Sequence, residues 1–249
     1  MTPLRAPSVL RRERWLAPDA PVWLFDLDNT LHDASRQIFK VIDQRMGQAV
    51  ARALNLPRDE ADVLRRRYWK QYGATAIGLV RHHGVNLHQF LSTCHDFDVR
   101  PLVHAEKGQL ARLRRLPGTR IVLTNAPAHY ARRVLDALGI LQEFDGLWAI
   151  DNMMPMGLPR PKPSLALMQQ IVARLNVPAG HITLVEDTLR NLKSARQVGM
   201  RTVYLYHPGT PFALAQYGRD LYVDERINRL RTLLTRASAG HRPGTRGRA

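Results

Sequence analysis

Cysteine is almost missing from this 249-residue chain, with Cys94 its only example. One thiol excludes an intramolecular disulfide framework and any zinc site built from several cysteines. Lysine is scarce too: Lys40, Lys70, Lys107, Lys162 and Lys193 are the only five among 37 Lys+Arg. No apolar run reaches the roughly 18 residues that would span a bilayer. The basic first 20 residues lack the continuous apolar core of a secretory signal. The chain therefore reads as soluble and cytoplasmic, with no membrane partner. Acids are also few: 21 Asp+Glu leave a formal charge of +16. The remainder is ordinary, 45% hydrophobic and 23% charged, which excludes a wholly disordered chain.

The excess charge is mostly terminal. Residues 1–15 carry +3, residues 226–249 carry +7, and the long middle holds only +6. Residues 1–19 read as a basic N-terminal segment. Residues 237–249, rich in Gly, Arg, Ser and Pro, lack apolar anchors and read as a disordered tail. Trp15 is the only aromatic beside these arginines, too few for interleaved base stacking, so solvated basic ends are favoured over a nucleic-acid surface. A basic nucleic-acid-binding protein with an idle site is the rival from another class, and the tails are its only support.

The middle alternates strand and helix. Residues 22–28 form an apolar run ending in two acids, as a buried parallel strand does where it reaches a site. Further strands are expected at 120–126, 144–150, 182–185, 202–206 and 221–223. Helical spacing marks 129–138, 164–175, 191–198 and a last helix near 226–235. Such alternation predicts an α/β fold, a parallel sheet with helices on both faces. Residues 33–105 interrupt it. Apolar residues recur at helical spacing from Ile38 to Leu54, and helices follow at 58–72, 75–82 and 87–93. That stretch is too long for a loop. It reads as an inserted all-helical domain, leaving 20–32 and 106–236 as the core.

Four loops then stand at the carboxyl ends of strands, the edge where open parallel sheets bind ligands. They supply Asp26 and Asp28, Thr124 and Asn125, Lys162, and Glu186 with Asp187. Acids, a hydroxyl and a cation on one edge suit phosphate chemistry. A carboxylate is repelled by a phosphate dianion, but a divalent cation held by carboxylates neutralises the phosphate oxygens. A lysine balances the anions, and a threonine hydroxyl holds a phosphate oxygen. Of two strand-end carboxylates, one serves as nucleophile and the other as general acid, then base. Singly these residues have plainer readings: Thr124 as a turn residue, Lys162 as a solvated loop lysine, and Glu186-Asp187 complementing a helix dipole.

Asp26-Leu-Asp28-Asn-Thr30, Thr124-Asn125, Lys162 within Arg160-Pro-Lys-Pro163, and Glu186-Asp187 resemble motifs one to four of the haloacid-dehalogenase superfamily of phosphatases, in order, from about residue 20 to 207. The resemblance implies a Rossmann-like core with a helical cap after motif one, Mg²⁺, and a covalent aspartyl-phosphate at Asp26. It implies that Asp28 protonates the leaving alcohol and then activates water, and that Thr124 and Lys162 bind phosphate. It implies a metal held by Asp26, the backbone carbonyl of Asp28, and Asp187, with Glu186 assisting. A dehalogenase is disfavoured by the presence of Asp28, and nothing marks a mutase.

Within the cap, Tyr68-Trp-Lys-Gln-Tyr72-Gly73, Gly78-Leu79 and His95-Asp96-Phe97 resemble the pyrimidine 5′-nucleotidase branch. This implies UMP or CMP as the small phosphomonoester, with Asn125, Tyr68, Tyr72 and His95 as substrate contacts. Tyr68 and Tyr72 share a helix face, which either stacks on a nucleobase or is cap core. Motif four departs from the branch, which more often has two aspartates where this chain has Glu186-Asp187. A phosphoglycolate or sugar phosphate is the alternative substrate. Cys94 reads as a buried small residue.

Overall fold

A computed structural model describes residues 8–9, 20–153, 160–210 and 221–240. Among these, seven strands form one sheet: β1 (Ser8–Val9), β2 (Val22–Phe25), β3 (Thr119–Leu123), β4 (Gly146–Trp148), β5 (Ile182–Glu186), β6 (Arg201–Leu205) and β7 (Glu225–Ile227). Their order is β1-β4-β3-β2-β5-β6-β7, parallel except for β1, which pairs antiparallel with β4.

The apolar runs explain the layering. Strand side chains alternate between faces, and both faces are covered here. Trp23 and Phe25 of β2 enter one core with Val122 of β3 and Val185 of β5. Val22 and Leu24 enter the opposite core with Ile121, Leu123, Ile182 and Leu184. The register agrees, since Phe25 lies opposite both Val122 and Val185. Helices α6 (Ala128–Ala137) and α9 (Leu230–Ser238) cover the first face, and α7 (Leu165–Leu175) and α8 (Leu189–Gln197) cover the second. Each fully buried large apolar side chain contributes about 1.5–3 kcal/mol.

The insertion is helical, as expected: α1 (Ile38–Leu54), α2 (Arg58–Tyr72), α3 (Thr75–His83) and α4 (Leu87–His95). They close on their own core, which includes Val50, Ala61, Tyr68, Leu79, Leu91 and Cys94. Cys94 is fully buried. Asn55 (φ 51°) ends α1 and Gly73 (φ 80°) ends α2 in the left-handed region that stops a helix. Arg65 clamps α2 to α1 through Asp43 (2.6 Å) and holds Asp62 of its own helix (2.8 Å).

Three expectations change. The strand predicted at 221–223 is instead β7 at Glu225–Ile227, because Asp224 and Tyr222 are used as caps for Thr202: the Thr202 hydroxyl donates to the Tyr222 carbonyl and its N–H to Asp224. Leu221 is left exposed. Helix α5 (Gln109–Arg115) was not foreseen. Three of its seven residues are arginine, and burial of Leu113 and contact with α9 hold it in place. The last helix runs to Ser238 with Ala237 buried, so the expected tail from 237 starts inside a helix; its residues 241–249, and most of the basic segment 1–19, lie outside the described residues. No helix among the described residues is long and apolar enough to cross a membrane.

Gly78 lies against the ring of Tyr68: a Cβ there would sit 2.1 Å from Tyr68 Cγ. Gly78→Ala therefore overpacks the cap and should destabilise the protein by about 1–3 kcal/mol. Thermal unfolding checks this, and an unchanged midpoint would show that the cap core gives way freely.

Candidate active site

The site follows from strand order. β2 lies between β3 and β5, all parallel, so the residues after each strand emerge on one edge. Asp26 follows β2, and its backbone N–H still donates to the Val185 carbonyl at 3.0 Å. Thr124 follows β3, Glu186 ends β5 and Asp187 comes next. Lys162 arrives from the loop before α7.

These groups meet. Lys162 Nζ donates to Asp26 Oδ1 at 2.6 Å and to Glu186 Oε2 at 2.6 Å. All three side chains are buried, Lys162 being only 2% exposed. Burial, then the Glu186 charge, pushes the Asp26 carboxyl up to about 7 against the pull of Lys162. Burial likewise raises Glu186 to about 7 and Asp187 to about 6. Lys162 is raised above its ordinary value because the two carboxylates outweigh its own desolvation. Asp187 is anchored by hydroxyls: Thr210 donates to Oδ2 and Thr188 to Oδ1 at 3.2 Å.

Asp26, Glu186 and Asp187 each offer a carboxylate oxygen, and the three lie within 4.8 Å of one another. Three hard oxygen donors with crowded negative charge suit a divalent cation such as Mg²⁺. Lys162 offsets only part of that charge, so the donor set fits the group.

A cavity of about 530 Å³ opens over this edge. Asp26, Asp28, Thr124, Asn125, Lys162, Glu186 and Asp187 all line it, which brings the seven core residues anticipated from the motifs together. The Thr124 hydroxyl oxygen accepts from Ala126 N–H at 3.0 Å, and among the described residues its hydrogen is given no acceptor. Asn125 is committed elsewhere: its amide donates to the Lys162 carbonyl and accepts from the Lys162 N–H, both at 2.9 Å. It holds the lysine loop while also lining the cavity.

The three cap residues singled out from the sequence lie outside the lining of this cavity. Tyr68 is 3% exposed and its hydroxyl pairs with His83 at 2.7 Å. Tyr72 pairs with His82 at 2.7 Å. Neither lines the cavity, because the face they share packs against α3. The next residues on α2, Trp69 and Lys70, line it together with Phe39, Gly73 and Arg190. His95 is buried too, edge-on to Tyr130 with centroids 5.1 Å apart. It does not line the cavity either.

Thr210, Tyr130 and Phe39 carry no sequence signal, and Trp69 has no role of its own in the cap pattern that contains it. Thr210 follows β6, Tyr130 lies on α6, and Phe39 and Trp69 sit on cap helices. Thr210 lies past Tyr206, His207, Pro208 and Gly209 after β6, so a strand-end rule does not single it out. The others depend on how the helices rotate against the core.

An α/β core with a carboxylate-lined strand edge, covered by a helical insertion, defines a cap-bearing hydrolase architecture. Residues 22–199 match the model of the haloacid dehalogenase-like hydrolases, and the chain belongs to that family. It is 24% identical over 201 residues to Phosphate metabolism protein 8 of Saccharomyces cerevisiae, covering 74% of this chain and 60% of that protein's length. It is 25% identical over 207 residues to a phosphoglycolate phosphatase of Pseudomonas fluorescens, covering 76% of this chain and 72% of that one. Among solved structures, a HAD phosphatase from Thermococcus onnurineus superposes with a TM-score of 0.58 at 20% identity, over 86% of this chain and 96% of that one.

Two outcomes follow from the site. Mg²⁺ should raise the thermal midpoint of the wild-type protein, as a ligand of the folded state does. Asp187→Asn should weaken that effect about tenfold or more in metal concentration; equal shifts in both proteins would place the cation elsewhere. His95 supplies a pH signature. Burial pushes its imidazole down to about 4, so the folded state keeps it neutral where the unfolded chain takes up a proton. Its contribution is complete above about pH 6.5 and is lost as pH falls towards 4. In His95→Gln, the fall in unfolding free energy from pH 7 to 4.5 should be shallower by about 2 kcal/mol, measured by denaturant titration at each pH.

Proposed function

We propose that this protein is an Mg²⁺-dependent phosphomonoester hydrolase working through a phosphoaspartate at Asp26. The observation that carries this is the buried Lys162 joined to both Asp26 and Glu186 at 2.6 Å, beside Asp187. Such a cluster prepares a carboxylate to meet an anionic substrate.

Asp26 attacks phosphorus, the ester P–O bond breaks, and Asp28 gives its proton to the departing alkoxide. Asp28, now a carboxylate, takes a proton from water as that water attacks the phosphoaspartate. Asp26 and inorganic phosphate are released, and Asp28 is protonated again. Thr124 donates its hydroxyl to a phosphoryl oxygen, and Lys162 offsets the charge that gathers on the group. Bound Mg²⁺ would be held by Asp26, Glu186, Asp187 and the Asp28 backbone carbonyl, and supplies positive charge against the phosphoryl oxygens.

The substrate we favour is a small phosphomonoester with a second polar or anionic group, in the manner of a phosphoglycolate or sugar phosphate. The relative from Pseudomonas fluorescens bears the name phosphoglycolate phosphatase. Lys70 of the cap and Arg190 of the core also line the cavity, and two cationic residues there would match a second anion. A pyrimidine 5′-monophosphate is the second reading, supported by Phe39 and Trp69, two aromatic walls able to take a base.

A panel of phosphoglycolate, sugar phosphates, UMP and CMP with Mg²⁺ tests both. We expect phosphate release from the non-nucleotide esters at a kcat/KM at least about tenfold above that for nucleotides, one decade being about 1.4 kcal/mol of discrimination. Asp26→Asn should lose about 10³-fold or more, as removal of a nucleophile does. UMP or CMP ranking first would move the assignment to the second reading. No turnover of any ester would remove the hydrolase reading of this site.

A further inference from the structure

Asp28 is gripped by one oxygen only. Its Oδ1 accepts the Tyr130 hydroxyl at 2.7 Å and lies 2.9 Å from His32 Nε2. Its Oδ2 has no hydrogen-bond partner among the described residues. An ionised carboxylate only accepts, so both neighbours then donate to Oδ1. With His32 as its Nε2–H tautomer, a proton placed on Oδ1 would face two donors, so neutral Asp28 then carries its proton on Oδ2.

The grip is rigid. Tyr130 is fully buried, and its ring packs edge-on against His95 and tilted against Phe97, with centroids 5.1 and 6.2 Å apart. Both partners lie where the cap chain returns to the core. Arg133, one turn further along α6, donates to the His95 carbonyl and ties that return to the same helix. The His32 side chain is fully buried as well. A hydroxyl fixed by so much packing holds its acceptor to one rotamer, which proximity and orientation demand of a proton donor.

We propose that Tyr130 is a positioning residue for acid–base catalysis: with His32 it pins Oδ1 of Asp28 and reserves Oδ2 for the transferred proton. This rests on the phosphatase reading above. In the first step, the bond from Asp26 to phosphorus forms as the ester P–O bond breaks, and the Oδ2 proton goes to the leaving oxygen. An alkoxide needs that proton far more than a nitrophenolate, which departs as a stable anion. A positioning role therefore shows in the dependence on leaving group, whereas a tyrosine that only fills the core affects all esters alike.

The test is kcat/KM, which covers the steps up to alcohol departure, for Tyr130→Phe with Mg²⁺. The series runs from p-nitrophenyl phosphate through phenyl phosphate to the alkyl phosphate the enzyme cleaves best. Alkyl phosphate turnover should fall about tenfold or more, within the range general acid catalysis supplies, and activated esters should change less than about twofold. Phenylalanine keeps the ring in place. His32→Leu, which removes the other donor to the same oxygen, should steepen the leaving-group dependence in the same direction. Equal losses on all esters in both variants, or no loss in either, would overturn the proposal while leaving the phosphatase reading intact. Loss of every activity in the wild type would overturn both.

Discussion

The ammonium of Lys162 is the point on which the catalytic edge turns. It lies out of water between Asp26 and Glu186, from two neighbouring strands. A buried ion pair gains little net stability over a hydrophobic replacement, yet leaving either sign alone is strongly unfavourable. The carboxylates therefore need the lysine, and the lysine needs a loop that delivers it accurately. Asn125 provides this by bonding both backbone groups of Lys162, so the loop after β3 and the loop before α7 form one unit.

That unit also reaches the cap. Gly73, in the left-handed region at the end of α2, lies against the Lys162 carbonyl and the Pro163 ring, and a Cβ there would meet both at 3.1 Å. The tight turn brings Trp69 and Lys70 over the same cavity. Arg190 approaches from α8, its guanidinium 3.5 Å from the Lys70 carbonyl. The core loops and the cap thus share a few backbone contacts, and the turn after α2 forms part of the cavity wall.

The motifs were legible because parallel sheets leave a consistent trace. Buried strands read as continuous apolar runs, and their exits read as breaks in apolarity. Asp26, Thr124 and Glu186 stand at such breaks. The helical insertion was legible from periodicity and length. Residue 221 onward was misleading: Leu-Tyr-Val looks like a strand, but the hydrogen bonds from Thr202 turn it into a cap and shift pairing to Glu225–Ile227. Helix α5 left no clear trace, since its arginines mask the single deeply buried leucine that seats it.

The sequence by itself determined the α/β core, the inserted helices, and the seven polar residues of the loops at the sheet edge. Each of these follows from local patterning along the chain. The tertiary structure decided what each side chain does there. Tyr68 and Tyr72 turn towards His83 and His82, Trp69 and Phe39 take the cavity walls, and Asn125 becomes a brace. Helical spacing places residues on a shared face but does not say what that face meets. Tyr130 and His32 carry the same lesson. They converge on one oxygen of Asp28 only because α6 and the turn after β2 pack together, a contact spanning about a hundred residues of chain.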